Sequence, residues 1–506
     1  MKQKLIAFTA AAMSAVLALS GCGSSKTTDN KLSVAIFDRG TVPASEGSYE
    51  DNRWTKWINE NSGFDVSWIP IPRNEVRQKY NMLIASGEAP DLMWDYGRDY
   101  IAQLIAQDAI MPLDDVIDQY STSYKKYLEE HPELKPYITF DGKIYAITSK
   151  RANMANFGVW IRQDWLDKLG LSMPKTDEEL LNVARAFRDG DPDGNGQNDT
   201  IPIALSGNDL ISNFYNTAKN SWYLEDGKMV YGPMTEKYKD SLKFRQTAYK
   251  EGLIDPEFIT DTNNERQSQL VTNGKAGIYF TSWDIKKVYT TLIQNDPNAN
   301  LVPMEAISTK YGQSGYYQEP PANRYVVFNK DMKNPEKAMK FLDWMIDKGW
   351  FTIINGIENE NYEMIDGVPT PIDSTKNKSE LSYANEYAVI SQEVIYPDKF
   401  EEREKGDQYD KQYAKIRKRA LETALKYPYK RDIPYNPSFT EFSSMQAELD
   451  PLIDTIVVNT TIGKDGMTPE QAIEKIKAEY DRRDGEHINQ LAQQWYEENK
   501  DSFTEN

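Results

Sequence analysis

The chain has 506 residues, with 59 Lys and Arg against 78 Asp and Glu, a formal charge of −19. That length exceeds one ordinary core and calls for two large lobes or three compact units, while 39% apolar residues with 31 Tyr and 11 Trp exclude an acidic disordered chain. The acidic balance disfavours nonspecific nucleic-acid binding, two His leave little for imidazole chemistry, and a single Cys permits no intrachain disulfide.

The first 22 residues read as an export signal: Lys2 and Lys4, an uncharged run from Leu5 to Leu19, then small residues. That run of 15 residues falls short of the roughly 20 a membrane helix needs. Leu19-Ser20-Gly21-Cys22 resembles the lipobox of bacterial lipoproteins, which implies cleavage after residue 21 and diacylation of Cys22. Loss of Lys2 and Lys4 takes the charge to −21, and Gly23 to Asn30, rich in Ser, Thr and Gly, reads as a flexible tether. No comparable apolar run recurs, so one attachment point on the extracytoplasmic face of the cell membrane is expected.

Lys31 to Phe37 (KLSVAIF) suits a buried strand, Asn52 to Asn61 places Trp54, Trp57 and Ile58 at helical spacing, and Phe64 to Ile71 alternates like a strand. Strand, helix, strand is the rhythm of a parallel α/β sheet. It continues with a helix over Val76 to Ser86, a strand over Asp91 to Trp94 and a helix over Asp99 to Gln107. Gly142 to Ile147 and Phe157 to Ile161 read as strands, with Arg151 to Asn156 between them as a crossover to a second lobe. Leu301 to Ala306 and Arg324 to Asn329 read as strands returning to the first lobe, and the rest is mostly helical, as in Glu336 to Ile346 and Pro469 to Tyr480. The expected organisation is a first lobe of residues 31–148 plus 300–333 and a second of 149–299 plus 334–506.

Between a helix over Glu178 to Phe187 and a strand over Ile201 to Leu205 lies DPDGNGQND. It sets oxygen side chains of Asp191, Asp193, Asn195 and Asp199 at positions 1, 3, 5 and 9, with Gly196 at position 6 and a carbonyl from Gln197. A hard cation takes six to eight oxygens, so the spacing suits structural calcium. An EF-hand would place Glu at position 12, where Pro202 stands, and a solvated turn is the alternative.

GEAPDLMW (Gly87 to Trp94), WIRQDWLDKLGLSMPKT (Trp160 to Thr176), the DPDGNGQND loop, YKEGLIDPE (Tyr249 to Glu257), NGKAGIYFTSW (Asn273 to Trp283) and GIENENY (Gly356 to Tyr362), together with Cys22, resemble the solute-binding lipoproteins of bacterial ABC importers, and within them the LipO-type proteins associated with uptake of complex oligosaccharides. The resemblance implies a type II periplasmic-binding-protein-like α/β fold: two doubly wound lobes joined by hinge crossovers, closing on a ligand in the cleft between them. It also implies a monomeric receptor without catalysis that hands an oligosaccharide to membrane permease subunits. Related alginate-binding proteins share the loop's ligands but carry Glu where this chain has Thr200.

A sugar presents apolar C–H faces and a hydroxyl rim, which call for flat aromatics and fixed polar groups. Trp94-Asp95-Tyr96 follows a first-lobe strand, where an α/β sheet exposes its ligand-facing loops. Trp283-Asp284 follows the Gly277 to Phe280 strand and resembles the aromatic turn that maltose-type binding proteins set against a sugar. Further candidates are Trp160 and Arg162 after the crossover, and Tyr215, Trp222, Tyr316, Tyr317 and Glu319 in loop-like stretches. Asp38-Arg39 reads either as a cleft element or as a salt-bridged turn, while Trp54, Trp57 and Trp344 on helical faces read as core. Two competing readings are an extracellular glycoside hydrolase, for which carboxylates are abundant but no catalytic motif stands out, and a peptide- or lipid-binding lipoprotein of the same lobes.

Overall fold

Two four-stranded sheets, each flanked by helices, organise the computed structural model, which describes residues 31–207, 210–261 and 263–503. The export signal, Cys22 and the tether lie outside the described residues. The first sheet has the order Tyr325–Phe328, Leu92–Asp95, Lys31–Asp38, Asp65–Pro72. Lys31–Asp38 runs parallel to both neighbours, in register with Asp65–Pro72 from end to end, while Tyr325–Phe328 is antiparallel. Val34 to Phe37 are fully buried, as a parallel strand covered on both faces requires. Helix Arg53–Ser62 starts at Asn52, whose side chain accepts the Trp54 and Thr55 N–H groups, and stops at Gly63 with φ of 78°. The parallel strands therefore end together, and Arg39, Arg73 and Tyr96 leave the same edge of the sheet.

The second sheet has the order Leu301–Met304, Phe157–Arg162, Ile278–Ser282, Ile203–Ala204. Leu301–Met304 was expected in the first lobe, but it pairs antiparallel with Phe157–Arg162. Its four side chains are all buried, so it closes the edge of the nearer sheet before the chain crosses back. Only Tyr325–Phe328 returns to the first sheet.

The crossing itself is a ribbon. Residues 147–155 and 318–326 run antiparallel, bridged at Ile147 with Val326, Lys150 with Ala322 and Ala155 with Gln318. A third passage follows near Ser391, whose N–H donates to the Ser149 hydroxyl at 3.3 Å.

Residues 335–390 also differ from expectation: they complete the first lobe, not the second. Helix Pro335–Trp344 follows directly on the first sheet's last strand, and Phe341 packs edge-on against Phe64 and Trp68. Met345, Ile353 and Tyr387 join the same core. Beyond residue 400 the chain serves the second lobe. Helix Gln408–Leu425 covers the second sheet through Tyr413 and Leu421, and helices Thr440–Ile462, Pro469–Asp481 and Gly485–Asn499 form a helical unit around Trp222, Tyr231 and Leu242. No helix among the described residues is long and apolar enough to cross a membrane.

Candidate ligand-binding cleft

Between the lobes lies a cleft of about 390 Å³, within the range of roughly 300–1,000 Å³ that small-molecule sites occupy. The first lobe contributes Tyr96, Arg98 and Asp99 from the edge where the parallel strands end, with Tyr137 and Tyr325. The second contributes Asn220 to Tyr223, Tyr317, Glu319 and Pro320 on the returning crossover, and the loop Tyr429 to Pro437 with Phe442. Tyr96 also lines a second hollow of about 480 Å³ with Arg73, Arg77 and Asp95, so the groove continues along the first lobe.

Aromatic rings and guanidinium groups alternate along these walls. Arg98 lies 4.0 Å from the Phe140 ring centroid and 4.1 Å from that of Tyr435, and it donates to the carbonyls of Tyr137 and Thr139 and to the Ser438 hydroxyl. Burial pushes this guanidinium below its ordinary value. Because Arg98 and Tyr137 belong to the first lobe while Tyr435 and Ser438 lead into the helical unit, these contacts tie the two sides together. Opposite them, Arg431 sits 5.3 Å from the rings of both Tyr317 and Tyr429 and donates to the Gln318 carbonyl. Burial raises the phenols of Tyr137, Tyr317 and Tyr325, and pushes Tyr429 up to about 12. All four stay protonated at neutral pH and can donate to a guest's oxygens. Glu319 accepts from the Asn156 amide at 2.5 Å and lies 3.6 Å from Arg151.

Four of the residues singled out from sequence line this cleft: Tyr96, Trp222, Tyr317 and Glu319. Trp222 is mostly packed against Tyr231 and Phe442, and its indole N–H finds no acceptor among the described residues. The others are placed elsewhere. Trp94 is fully buried, stacked on Phe37 at 3.7 Å with its N–H on the Ala35 carbonyl. Asp95 is buried beside it, accepting from the Gly97 N–H and Arg77, and burial raises its carboxyl above the usual range. Trp160 donates to the Ser282 carbonyl inside the second lobe, and Arg162 is held by Asp164 and Asp296. Tyr215 donates to Asp177 and Tyr316 to the Met304 carbonyl. Trp283 is 8% exposed under the Gln408–Leu425 helix, from which Tyr413 and Arg417 bind Asp284. Arg39 pairs with Glu386 and reaches the Tyr96 hydroxyl at 3.4 Å, so it is a salt-bridged turn at the cleft's border. Sequence reasoning missed Arg98, Tyr137 and the YPYKRDIPYNPSF segment from Tyr427 to Phe439, whose interleaved Tyr, Pro and basic residues were the available signal.

In the DPDGNGQND loop the oxygens are of the kind calcium takes, but they are engaged with the chain itself. The Asn195 amide nitrogen donates to Asp193 and Asp199, the N–H groups of Asn195 and Gly196 donate to Asp191, and the Lys275 ammonium bonds Asp199 at 2.5 Å and Asp193 at 3.4 Å. The Gln197 N–H donates to the Asn195 side chain, and Thr200 is buried. The hydrogen bond to Asp199 raises Lys275 above its ordinary value. Among the described residues no group of three or more His, Cys, Asp and Glu side chains converges to hold a metal. A cation entering here would take over the charge that Lys275 now neutralises.

Residues 44–350 match the family model of the bacterial extracellular solute-binding proteins. The chain is 32% identical over 326 residues to the fructooligosaccharide ABC transporter substrate-binding protein FusA of Streptococcus pneumoniae, an alignment covering 57% of this chain and 59% of that protein. It is 27% identical over 408 residues to lipoprotein LipO of Bacillus subtilis, covering 76% and 78%. Superposed on the structure of Streptococcus pneumoniae FusA in complex with kestose, the fold gives a TM-score of 0.70 at 21% identity, over 94% of this chain and all of the other.

Proposed function

The chain belongs to the bacterial extracellular solute-binding protein family, and from that membership we propose that it captures an oligosaccharide outside the cell and delivers it to the permease of an ABC importer. One observation carries this reading: the cleft between the lobes is walled by rings and by fixed hydrogen-bonding groups in alternation, from Tyr96 and Arg98 on one side to Tyr317, Tyr429 and Arg431 on the other. Rings receive the C–H faces of a sugar, while tyrosine hydroxyls and guanidinium N–H groups receive its oxygens. The ribbon of crossovers is the natural hinge, and a guest touching both walls favours the closed form by its differential affinity for that form.

In this reading the guest leaves unaltered, and the protein works as a monomer held to the membrane surface by a diacylated Cys22. Calcium in the DPDGNGQND loop would be held by Asp191, Asp193, Asn195 and Asp199 with the Gln197 carbonyl, would displace Lys275, and would stiffen the loop at a distance from the sugar. Calorimetry of the full mature chain with neutral and acidic oligosaccharides and with short peptides tests the proposal. Saturable binding of a glycan that chromatography recovers intact is the expected result; binding of peptides alone, or cleavage of the glycan, would contradict it.

A further inference from the structure

The two lobes are joined by more than their crossovers. The segment Tyr427 to Phe439 is bound to the second lobe along its length. The Gln318 amide donates to the Tyr427 carbonyl, the Lys430 N–H to the Ser314 hydroxyl, the Leu224 N–H to Asp432 and the Trp222 N–H to the Asn436 side chain. The segment therefore moves with that lobe, and it carries Tyr435 and Ser438 across to Arg98 in the first.

Half of the setting around Arg98 is built by the first lobe alone. Its Nε donates to the Tyr137 carbonyl at 3.1 Å and a terminal nitrogen to the Thr139 carbonyl at 2.8 Å, with the Phe140 ring centroid 4.0 Å away. The second lobe supplies the rest: the Tyr435 ring at 4.1 Å and the Ser438 hydroxyl at 3.0 Å, while Tyr137 meets Tyr435 edge-on at 5.4 Å. A guanidinium already fixed by three contacts loses little side-chain freedom on taking up two more, and a ring this close attracts it through its quadrupole.

The junction is also thin. Tyr435 lines the cleft, Ser438 lines a separate hollow of about 400 Å³, and Arg98 lines both. That hollow lies between Gln103 and Ala106 of helix Arg98–Ala106 and Glu441 and Trp495 of the helical unit. The contact is thus a narrow wall with space on either side. Relative motion of lobes is the default unless the interface between them is large and apolar, so a wall of this kind can open.

We propose that Arg98, Tyr435 and Ser438 form a clasp that holds the lobes together while the cleft is empty, and that a guest enters by its opening. The crossovers permit the motion, and the clasp sets how much of the empty population is shut. A guest reaches its binding groups only in molecules whose clasp is open, so the shut fraction lowers capture in proportion. A clasp that re-forms over the guest slows its escape.

Small-angle scattering of the mature chain without ligand tests it, on the parent and on Arg98→Gln, Tyr435→Ala and Ser438→Ala, with circular dichroism to read folding. The parent's profile should fit this structure. The radius of gyration should rise beyond the spread of replicates in Arg98→Gln and Tyr435→Ala, and by a smaller shift in Ser438→Ala. Ser438→Ala removes one half-buried hydroxyl that does not line the cleft, so it decides the matter if the two larger changes unfold the chain. A parent already expanded relative to this structure overturns the clasp, because the lobes then part with Arg98 intact. Folded Arg98→Gln and Tyr435→Ala as compact as the parent overturn it too, as does a compact Ser438→Ala where both of those unfold, because other contacts then hold the lobes. No sugar enters these measurements, so either failure leaves the oligosaccharide reading standing, and that reading can fail by calorimetry while the clasp stands.

Discussion

The turn after Leu92–Asp95 in the first lobe and the turn after Ile278–Ser282 in the other lobe are alike in sequence, each with a Trp-Asp pair at the end of a buried strand. They end differently. In the first lobe Trp94 turns inward onto Phe37 with Arg324 over its ring, and Tyr96 stands at the cleft. In the second lobe helix Gln408–Leu425 lies over the turn, and Tyr413 and Arg417 tie up Asp284 while Arg417 approaches Trp283. The cleft wall is supplied instead by the segment leaving that helix, Tyr427 to Phe439. A local motif thus locates a strand end, but which group meets the guest depends on what the distant chain lays over it.

Substitutions can break that comparison. Trp94→Ala removes a fully buried ring and is expected to cost about 3–5 kcal/mol of stability, read by denaturant unfolding; a stable variant that only loses ligand would mean that Trp94 belongs to the site. Asp284→Ala leaves Arg417 and Tyr413 without their shared acceptor and should cost about 1.5–3 kcal/mol with ligand affinity unchanged by calorimetry. Gly315→Ala tests the wall from behind, because a Cβ there would collide with the Tyr427 carbonyl. Overpacking of this sort costs about 1–3 kcal/mol, and since Gly315 donates to the Pro428 carbonyl, the variant should weaken ligand binding as well. Tyr317→Ala is expected to lose at least about 1 kcal/mol of binding energy with a smaller effect on melting. The smallest effect is reserved for Lys275→Gln. In chelator its melting temperature should fall slightly below that of the parent, and added calcium should stabilise it more than the parent, because Asp193 and Asp199 are freed of their ammonium partner.

Much of the fold was legible because it is local. The alternation of strand and helix from Lys31 to Ala106 follows from apolar spacing, a capping Asn52 and stop signals at Gly63 and Gly87. Assignments that depended on which sheet a strand joins were not local: Leu301–Met304 could be read as a strand but not as a neighbour of Phe157–Arg162. The site divides the same way. Tyr96, Tyr317 and Glu319 sit at strand ends or on the crossover and line the cleft, whereas Trp160 and Tyr316 share that neighbourhood in sequence but point into the second lobe's core. Arg98 reads in sequence as a helix-start residue, and only its placement between Phe140 and Tyr435, residues 42 and 337 positions away by chain number, gives it a role at the cleft.

The most direct test of the account is a crystal structure of the mature protein with a bound oligosaccharide. The account predicts sugar rings lying between Tyr96 and Arg98 on one lobe and Tyr317, Tyr429 and Arg431 on the other, with Trp283 still beneath its helix. A glycan seated against Trp283, or on an outer face with this cleft holding only water, would contradict it.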